Sequence, residues 1–534
     1  MTNKSKKPES NTSAGQITRR EFTNRAAALG VSTAFATTIG GAAGVLSESA
    51  KAAMTPKKGG HLRVGMAQGN TSDTLDPALM VTEATLLINY NTKNFLADTD
   101  HNGALVAELA ESWEADGSPS RWVYNLRKGI SFHDGKSFGA DDVIGTIHYH
   151  ISEESKSSIK SILKNIKEMK ADTQHRIIFT LAEPNAHFPF LMSALTIMSI
   201  RDGKPYDFTN GTGAYVLKEF EPGIRAIYER DPNKWEDHVG HFDSAEVIPL
   251  VDTASRQNAL VTGEVDLINR PDRKTWKRLA NTNGLVVAQY TGRLHRTWPM
   301  HVDTPPFDNN DVRLALKYAV DRDELVDKIL NGTGSVGNDH PIGPTNAYFN
   351  SELPQRTYDP DKAKFHLKKA GMENLTVKLS TSEGIWPGAV DAATLYSESA
   401  AKAGINLEVN KVPNDGYWAN VWLKHSWCAS YWSGRATEDW MFTSGYAAGG
   451  SWNESRWAHP RFNELLKAAR GELDETKARD MYWEMQQICR DEGGSVIPLF
   501  GNWLDAHSDK LAHGGLKGNR ELDGLRALRR WWFV

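Results

Sequence analysis

The stretches "NLTVKLST" (residues 374–381), "AVDAATLYSESAAKAGI" (389–405) and "INLEVNKV" (405–412) follow one another, with "SEGIWPG" joining the first two. The outer two alternate apolar and polar residues at the strand period of two, and the middle one is rich in helix-forming residues. Strand, helix, strand in that spacing implies a parallel pair with a right-handed crossover. That unit puts the chain in the α/β class. Outward from it, "HLRVGMA" (61–67) alternates Leu62, Val64 and Met66 and reads as a half-buried strand. "RWVYNLRKGISF" (121–132) and "RIIFTLAEP" (176–184) read the same way. In "DVRLALKYAVDRDELVDKIL" (311–330), Val312, Ala315, Leu316 and Ala319 share one helical face, Asn310 can cap the start, and Asn331-Gly332 stops it. "ETKARDMYWEMQQICRDEGG" (475–494) carries Met481, Met485 and Ile488 at helical spacing, which suits a core face. The expected architecture is mixed sheets with helices on their faces.

The N-terminus carries an address. A basic region with Arg19-Arg20 is followed by an uncharged run from Ala26 to Ser47, and Ala50-Lys51-Ala52 fits a small-residue cleavage site. Thr18-Arg19-Arg20-Glu21-Phe22 resembles a twin-arginine export signal. The uncharged run is mostly Ala, Gly, Thr and Ser, which favours export and cleavage over retention in lipid. Without residues 1–52, 55 Lys and Arg face 63 Asp and Glu. No Lys/Arg run survives to suggest nucleic acid, and no second long apolar stretch suggests a membrane span. Cys428 and Cys489 can be a disulfide of an oxidising compartment or two buried thiols.

Catalytic signatures fail on inspection. "GTGSVG" (332–337) matches a dinucleotide fingerprint by letter, yet it follows a helix and runs into "NDHPIGP", which cannot open the helix that the pyrophosphate needs. "DGKS" (134–137) lacks the glycine a phosphate loop requires at position 130, where Ile130 stands. No G-x-S-x-G elbow, H-E-x-x-H motif or paired C-x-x-C is present, and His148 and His150 do not share a helical face. The chain reads as a binder rather than a catalyst, with no cofactor or metal.

One segment stands out. Seven of the 17 tryptophans fall between Trp418 and Trp457, and within it "WCASYWSGRATEDWMF" (427–442) sets Arg435 and the adjacent acids Glu438 and Asp439 among indoles. Charges avoid apolar surroundings unless something pairs with them, and tryptophans seldom crowd on a bare surface. A binding cleft satisfies both conditions.

Several blocks occur in a fixed order: "GGHLRVGMAQGNTSDTLDPA" (59–78), "LAESWEADGSPSRWVYNLRKGISFHDGKSFGADDV" (109–143), "NGTGAYVLKEFEPG" (210–223), "RDPNKW" (230–235) and "VDTASRQNALVTGEVDLI" (251–268). "PFDNNDVRLALKYAVDRDELVDKILNGTG" (306–334) and "YDPDKAKFHLKKAG" (358–371) complete them. The chain thus resembles the extracytoplasmic solute-binding proteins of the dipeptide/oligopeptide/nickel transporter family, over essentially all of residues 53–534. The resemblance implies a two-lobed periplasmic binding protein fold of three domains, with the ligand enclosed between lobes that close about a hinge. Domain I would gather 53–100, 205–297 and 498–534; domain II would be 101–204; domain III would be 298–497. It implies a monomer in the periplasm that hands peptides, or peptide-like zwitterions such as opines, to the membrane permease of an ABC importer. Receptors for metal chelates belong to the family too, and an exported enzyme on the same fold is a further alternative. In peptide-binding relatives a Trp-x-x-Asp segment sets a carboxylate against the ligand's ammonium; here "WSGR" puts Arg435 at that place. Either Glu438 or Asp439 takes over the amine, or the ligand offers an anion to Arg435, or Arg435 only pairs with those acids. Trp432, Trp440 and Trp386 are expected as flat walls and His301 as a further contact.

Overall fold

The computed structural model describes residues 55–534 apart from 81, 158, 206, 414–416 and 451. The leader reading, with Arg19-Arg20 and the cleavage site, lies outside the described residues. A nine-stranded mixed sheet forms the backbone of the molecule. Its strands are β1 (His61–Met66), β2 (Tyr215–Glu221), β3 (Arg225–Arg230), β4 (Ser244–Pro249), β5 (Leu267–Asn269), β6 (Leu285–Pro299), β7 (Gly334–Val336), β8 (Ser430–Trp432) and β9 (Ser495–Ser508). The order is β2-β3-β4-β1-β5-β9-β6-β8, with β7 added to β9. β1 runs parallel to β4 and β5, and the remaining pairs are antiparallel. Leu62, Val64 and Met66 are all fully buried, as their alternation requires.

The crossover unit holds. Strands Thr376–Thr381 and Asn406–Lys411 pair in parallel, with helix Ala389–Ala401 between them. Strands Arg121–Leu126 and Arg176–Leu181 form in a separate four-stranded antiparallel sheet with Ala110–Ala115 and Ile166–Thr173. The first of these is shorter than the alternation suggested, because Gly129 adopts a left-handed turn just beyond it.

The helix expected over 311–330 is two helices. Asn309, not Asn310, caps Asn310–Tyr318, and Asp321 caps Arg322–Lys328 through its contact with the Glu324 amide. The aspartate that looked like one polar residue of a long helix is an N-cap. Arg322 leaves the first helix's axis to grip Asp339 with two 2.8 Å hydrogen bonds in the interior. The apolar face itself was correctly read: Val312, Ala315, Leu316 and Ala319 are buried. Asn331 and Gly332 both take positive φ and end the second helix, as expected.

Apolar side chains gather in separate clusters. One joins residues of β1 to β4 with Leu511–Trp531. A second lies within residues 96–197. Two more adjoin each other between Trp298 and Phe500. The long strands β6 and β9 run through from the first region to the last, and their pairing shifts register at Tyr290/Leu294 and Arg296/Trp298. β-bulges of this kind re-aim side chains, and both flank the site described next. Cys428 and Cys489 are free buried thiols in different clusters, and burial pushes both thiols up, away from thiolate chemistry.

Candidate ligand-binding site

Strand β8 is the last strand of its sheet, so one row of its backbone groups faces away from β6. Its register with β6 sets Trp432 opposite His295 and Tyr431 opposite Arg296. Glu454 organises the tryptophans on one side. This carboxylate, 4% exposed, accepts from Trp422 Nε1 at 2.6 Å, from Trp432 Nε1 at 2.9 Å and from the Ser430 hydroxyl. Two indoles with satisfied N–H groups are thereby fixed against Trp452, Trp422 edge-on at 6.0 Å and Trp432 tilted at 5.7 Å.

Gly434 turns the chain beyond β8. Its φ of 88° lies in the left-handed region, and a side chain there would collide with Arg293. Arg293 holds the turn by donating to the Arg435 carbonyl (3.3 Å) and the Thr345 carbonyl (3.2 Å). The turn delivers the Arg435 guanidinium to a box of three indoles, 4.8 Å from Trp432, 5.7 Å from Trp440 and 5.6 Å from Trp452. Its only hydrogen bond among the described residues is to the neighbouring Gly434 carbonyl, at 2.8 Å.

The two acids face elsewhere. Both sit in the first turn of helix Glu438–Gly445, capped by Thr437, where the helix dipole favours them. Asp439 accepts from Arg470 at 2.9 Å, and Glu438 accepts from the Tyr348 amide at 2.8 Å. Neither forms an ion pair with Arg435.

Trp386 and His301 part company. Trp386 is buried beneath the guanidinium of Arg296, which lies 5.0 Å from its ring and 5.7 Å from Tyr431. His301 is buried, its backbone N–H donating to the Ser426 carbonyl at 2.8 Å, with Arg456, Asp303 and His425 nearby. Glu454, Tyr431, Trp452, Arg293 and Arg296 escaped the sequence reading; Glu454 and Trp452 lie in the same tryptophan-rich run, but the arginines of β6 are brought in only by strand register.

The electrostatics are one-sided. Arg270 is committed to Glu521 at 2.6 Å and Arg520 to Glu83 at 2.7 Å, while Arg273 spends its nitrogens on the Thr333 and Asn502 carbonyls. Burial, with the charge of Arg520, pushes the Arg435 guanidinium down to about 10. The imidazole of His295, buried near Arg296 and Arg435, is pushed down to about 3, and buried His340 to about 4. The unfolded chain protonates these imidazoles below about 6.5, whereas the folded chain resists until far lower pH. Stability should therefore fall as pH drops from about 6.5, by up to about 1.4 kcal/mol per pH unit for each imidazole. Urea unfolding at pH 7 and pH 5 checks this; a midpoint unmoved by acidification contradicts it.

A cavity of about 770 Å³ opens behind Arg470, between residues 119 and 183–184 on one side and helix Pro460–Gly471 on the other. Its rim is bridged by Lys467–Glu183 at 3.4 Å and by the Ala186 amide on the Arg470 carbonyl at 2.7 Å. The uncommitted charges lie outside it. Among the described residues, no group of three or more His, Cys, Asp or Glu side chains is placed to hold a metal ion.

Residues 104–454 match the model of the bacterial extracellular solute-binding proteins, family 5. The chain belongs to that family. Among family 5 relatives, the dipeptide-binding protein of Pseudomonas aeruginosa is 25% identical over 452 residues, covering 77% of this chain and 83% of its own. The DppA periplasmic binding protein of Helicobacter pylori, solved with the peptide STSA, superposes with a TM-score of 0.75 at 23% identity, covering 87% of this chain and 97% of its own. The binding protein AgaA from A. tumefaciens R10, solved with agropinic acid, gives 0.77 at 19% identity, covering 89% and 99%. The fold is therefore the two-lobed α/β architecture of periplasmic binding proteins. Family 5 membership makes this a substrate-binding transport protein.

Proposed function

We propose that the protein is the periplasmic receptor of an ABC importer, exported through the leader at residues 1–52 with a twin-arginine signal and working as a monomer. It captures a small peptide-like solute between its lobes and presents the closed form to a membrane permease, without chemical change to the solute. The observation that carries this reading is the edge of β8, where three indoles box an arginine that has no acidic partner among the described residues. The free strand edge offers backbone pairing to a peptide-like chain. The Arg435 fork offers two hydrogen bonds to a carboxylate and repels an ammonium. That favours peptide-like solutes presenting an acid at this point, opine-like compounds included, over a metal chelate.

The three-domain division proposed from the sequence is supported by the separate apolar clusters. β6 and β9 then cross between lobes and serve as the hinge, which a ligand biases only through differential affinity for the closed state. Trp440 supports closure from the other side, since it packs on the cluster formed by residues 96–197.

The test is a ligand screen by intrinsic fluorescence and melting temperature, with recovery of the bound compound. A true ligand should shift tryptophan emission and stabilise the protein by about 2.7 kcal/mol at a hundredfold excess over Kd. Mass spectrometry should recover it unaltered. A cleaved or modified product identifies an exported enzyme on this fold instead.

A further inference from the structure

Arg296 is a charge that the anchor at Arg435 leaves unexplained. It projects from β6 directly across from Tyr431, is 6% exposed, and lies between the rings of Trp386 and Tyr431. Its Nε is buried without a partner, and the guanidinium makes no hydrogen bond or ion pair with any described residue. Other deeply buried arginines are bonded: Arg322 holds Asp339, Arg526 holds Asp98, Arg529 holds Glu108 and Glu236, and Arg256 and Arg313 donate to backbone carbonyls. A buried cation is retained only where something compensates it. Around Arg296 the nearby charges have the same sign, from Arg270 and Arg273.

The spacing suits one small molecule. Tyr431 lies about 5 Å from Arg296 across the ladder, and Arg435, four residues further on, is within about 14 Å of Tyr431 by chain length alone. A run of ring contacts links the two, from Tyr431 through Trp418, Trp422 and Trp452 to Arg435, each within 6.0 Å of the next. We propose that Arg296 and Arg435 form a paired anion site, so that the solute carries two anionic groups, carboxylate or phosphate, on a body lying along the edge of β8. This deepens the solute-receptor reading and rests on it. Arg296 sets specificity: a ligand bearing one anion leaves its guanidinium buried and alone.

The probes are N-acetyl-Glu-Gly (two carboxylates), N-acetyl-phosphoseryl-Gly (phosphate and carboxylate), N-acetyl-Gln-Gly (one carboxylate) and unblocked Gln-Gly. Each is titrated calorimetrically into the full chain. At least one dianion should bind tenfold or more tighter than N-acetyl-Gln-Gly, and the tighter of the two names the anion. Arg296→Gln should erase most of that preference, bringing each dianion to within about threefold of N-acetyl-Gln-Gly; Arg296→Lys should keep part of it, as a point charge without the planar fork. Melting curves identify a variant that fails to fold, and Arg296→Lys then supplies the comparison. Tightest binding of unblocked Gln-Gly overturns the paired anion site and leaves the solute-receptor reading standing. Equal preference in wild type and Arg296→Gln, or no dianion bound at all, also overturns it; the general ligand screen decides the receptor reading separately.

Discussion

Replacing Arg435 by alanine should weaken capture of an acidic solute by roughly 2–5 kcal/mol, because truncation leaves the ligand's anion enclosed and unpaired. The geometry sharpens this expectation. Had Arg435 braced Glu438 or Asp439, its loss would act mainly on stability. Instead Asp439 is held by Arg470 and Glu438 by the Tyr348 amide, so both survive the substitution intact. The melting temperature of the unliganded variant should shift less than that of Arg470→Ala, which strands a buried carboxylate. Arg435→Lys should recover only part of the binding, since an ammonium lacks the planar fork that lies against Trp432, Trp440 and Trp452. Blocking the ligand's acidic group should cost the wild type heavily and the alanine variant little, as a double-mutant cycle requires. A variant that binds like wild type yet melts much earlier ends the anchor role and leaves the cleft to its tryptophans.

How far the sequence reaches is visible in this same site. Trp432, Arg435 and Trp440 are neighbours in the chain, so their grouping could be read directly. What each one touches could not. Arg470, Tyr348 and Glu454 enter through helix packing and long loops, which leave no local pattern. Arg296 hides in a strand whose alternation is broken by two register shifts, and only pairing with β8 gives it Tyr431. The fold shows the same division. The crossover unit at 374–412 was legible because period-2 and helical patterns are both local. The break at Asp321 was not, because an aspartate within a helical pattern looks the same whether it caps or merely faces solvent.

The largest stability effect should come from Arg529, far from the indoles. Its guanidinium bridges Glu108 at 2.7 Å and Glu236 at 2.6 Å, with all three side chains buried. The bridge ties the C-terminal helix Ala527–Arg530 to two distant segments of chain. Arg529→Met should cost about 3–5 kcal/mol, because two mutually repelling carboxylates would remain inside, sharing the Asn94 side-chain amide, with the Phe95 N–H on Glu108. The pH dependence follows from the sign of the shift. Burial already pushes the Glu108 carboxyl up, with Arg529 drawing it back down and Glu236 adding to the rise. Without Arg529 the folded state should take up protons above the ordinary carboxylate range, near 4.3. A raised folded-state value means stability is present at low pH and lost as pH climbs through it. The deficit of Arg529→Met relative to wild type should therefore narrow between pH 7.5 and pH 5, even though both proteins lose stability there through their buried imidazoles. Adding Glu108→Gln to the variant should return part of the loss, since one of the two stranded charges is gone. Urea midpoints of the three proteins at both pH values provide the test. A deficit below about 1 kcal/mol, typical of exposed pairs, or one that widens on acidification would show that the acids find other partners or water once Arg529 is removed.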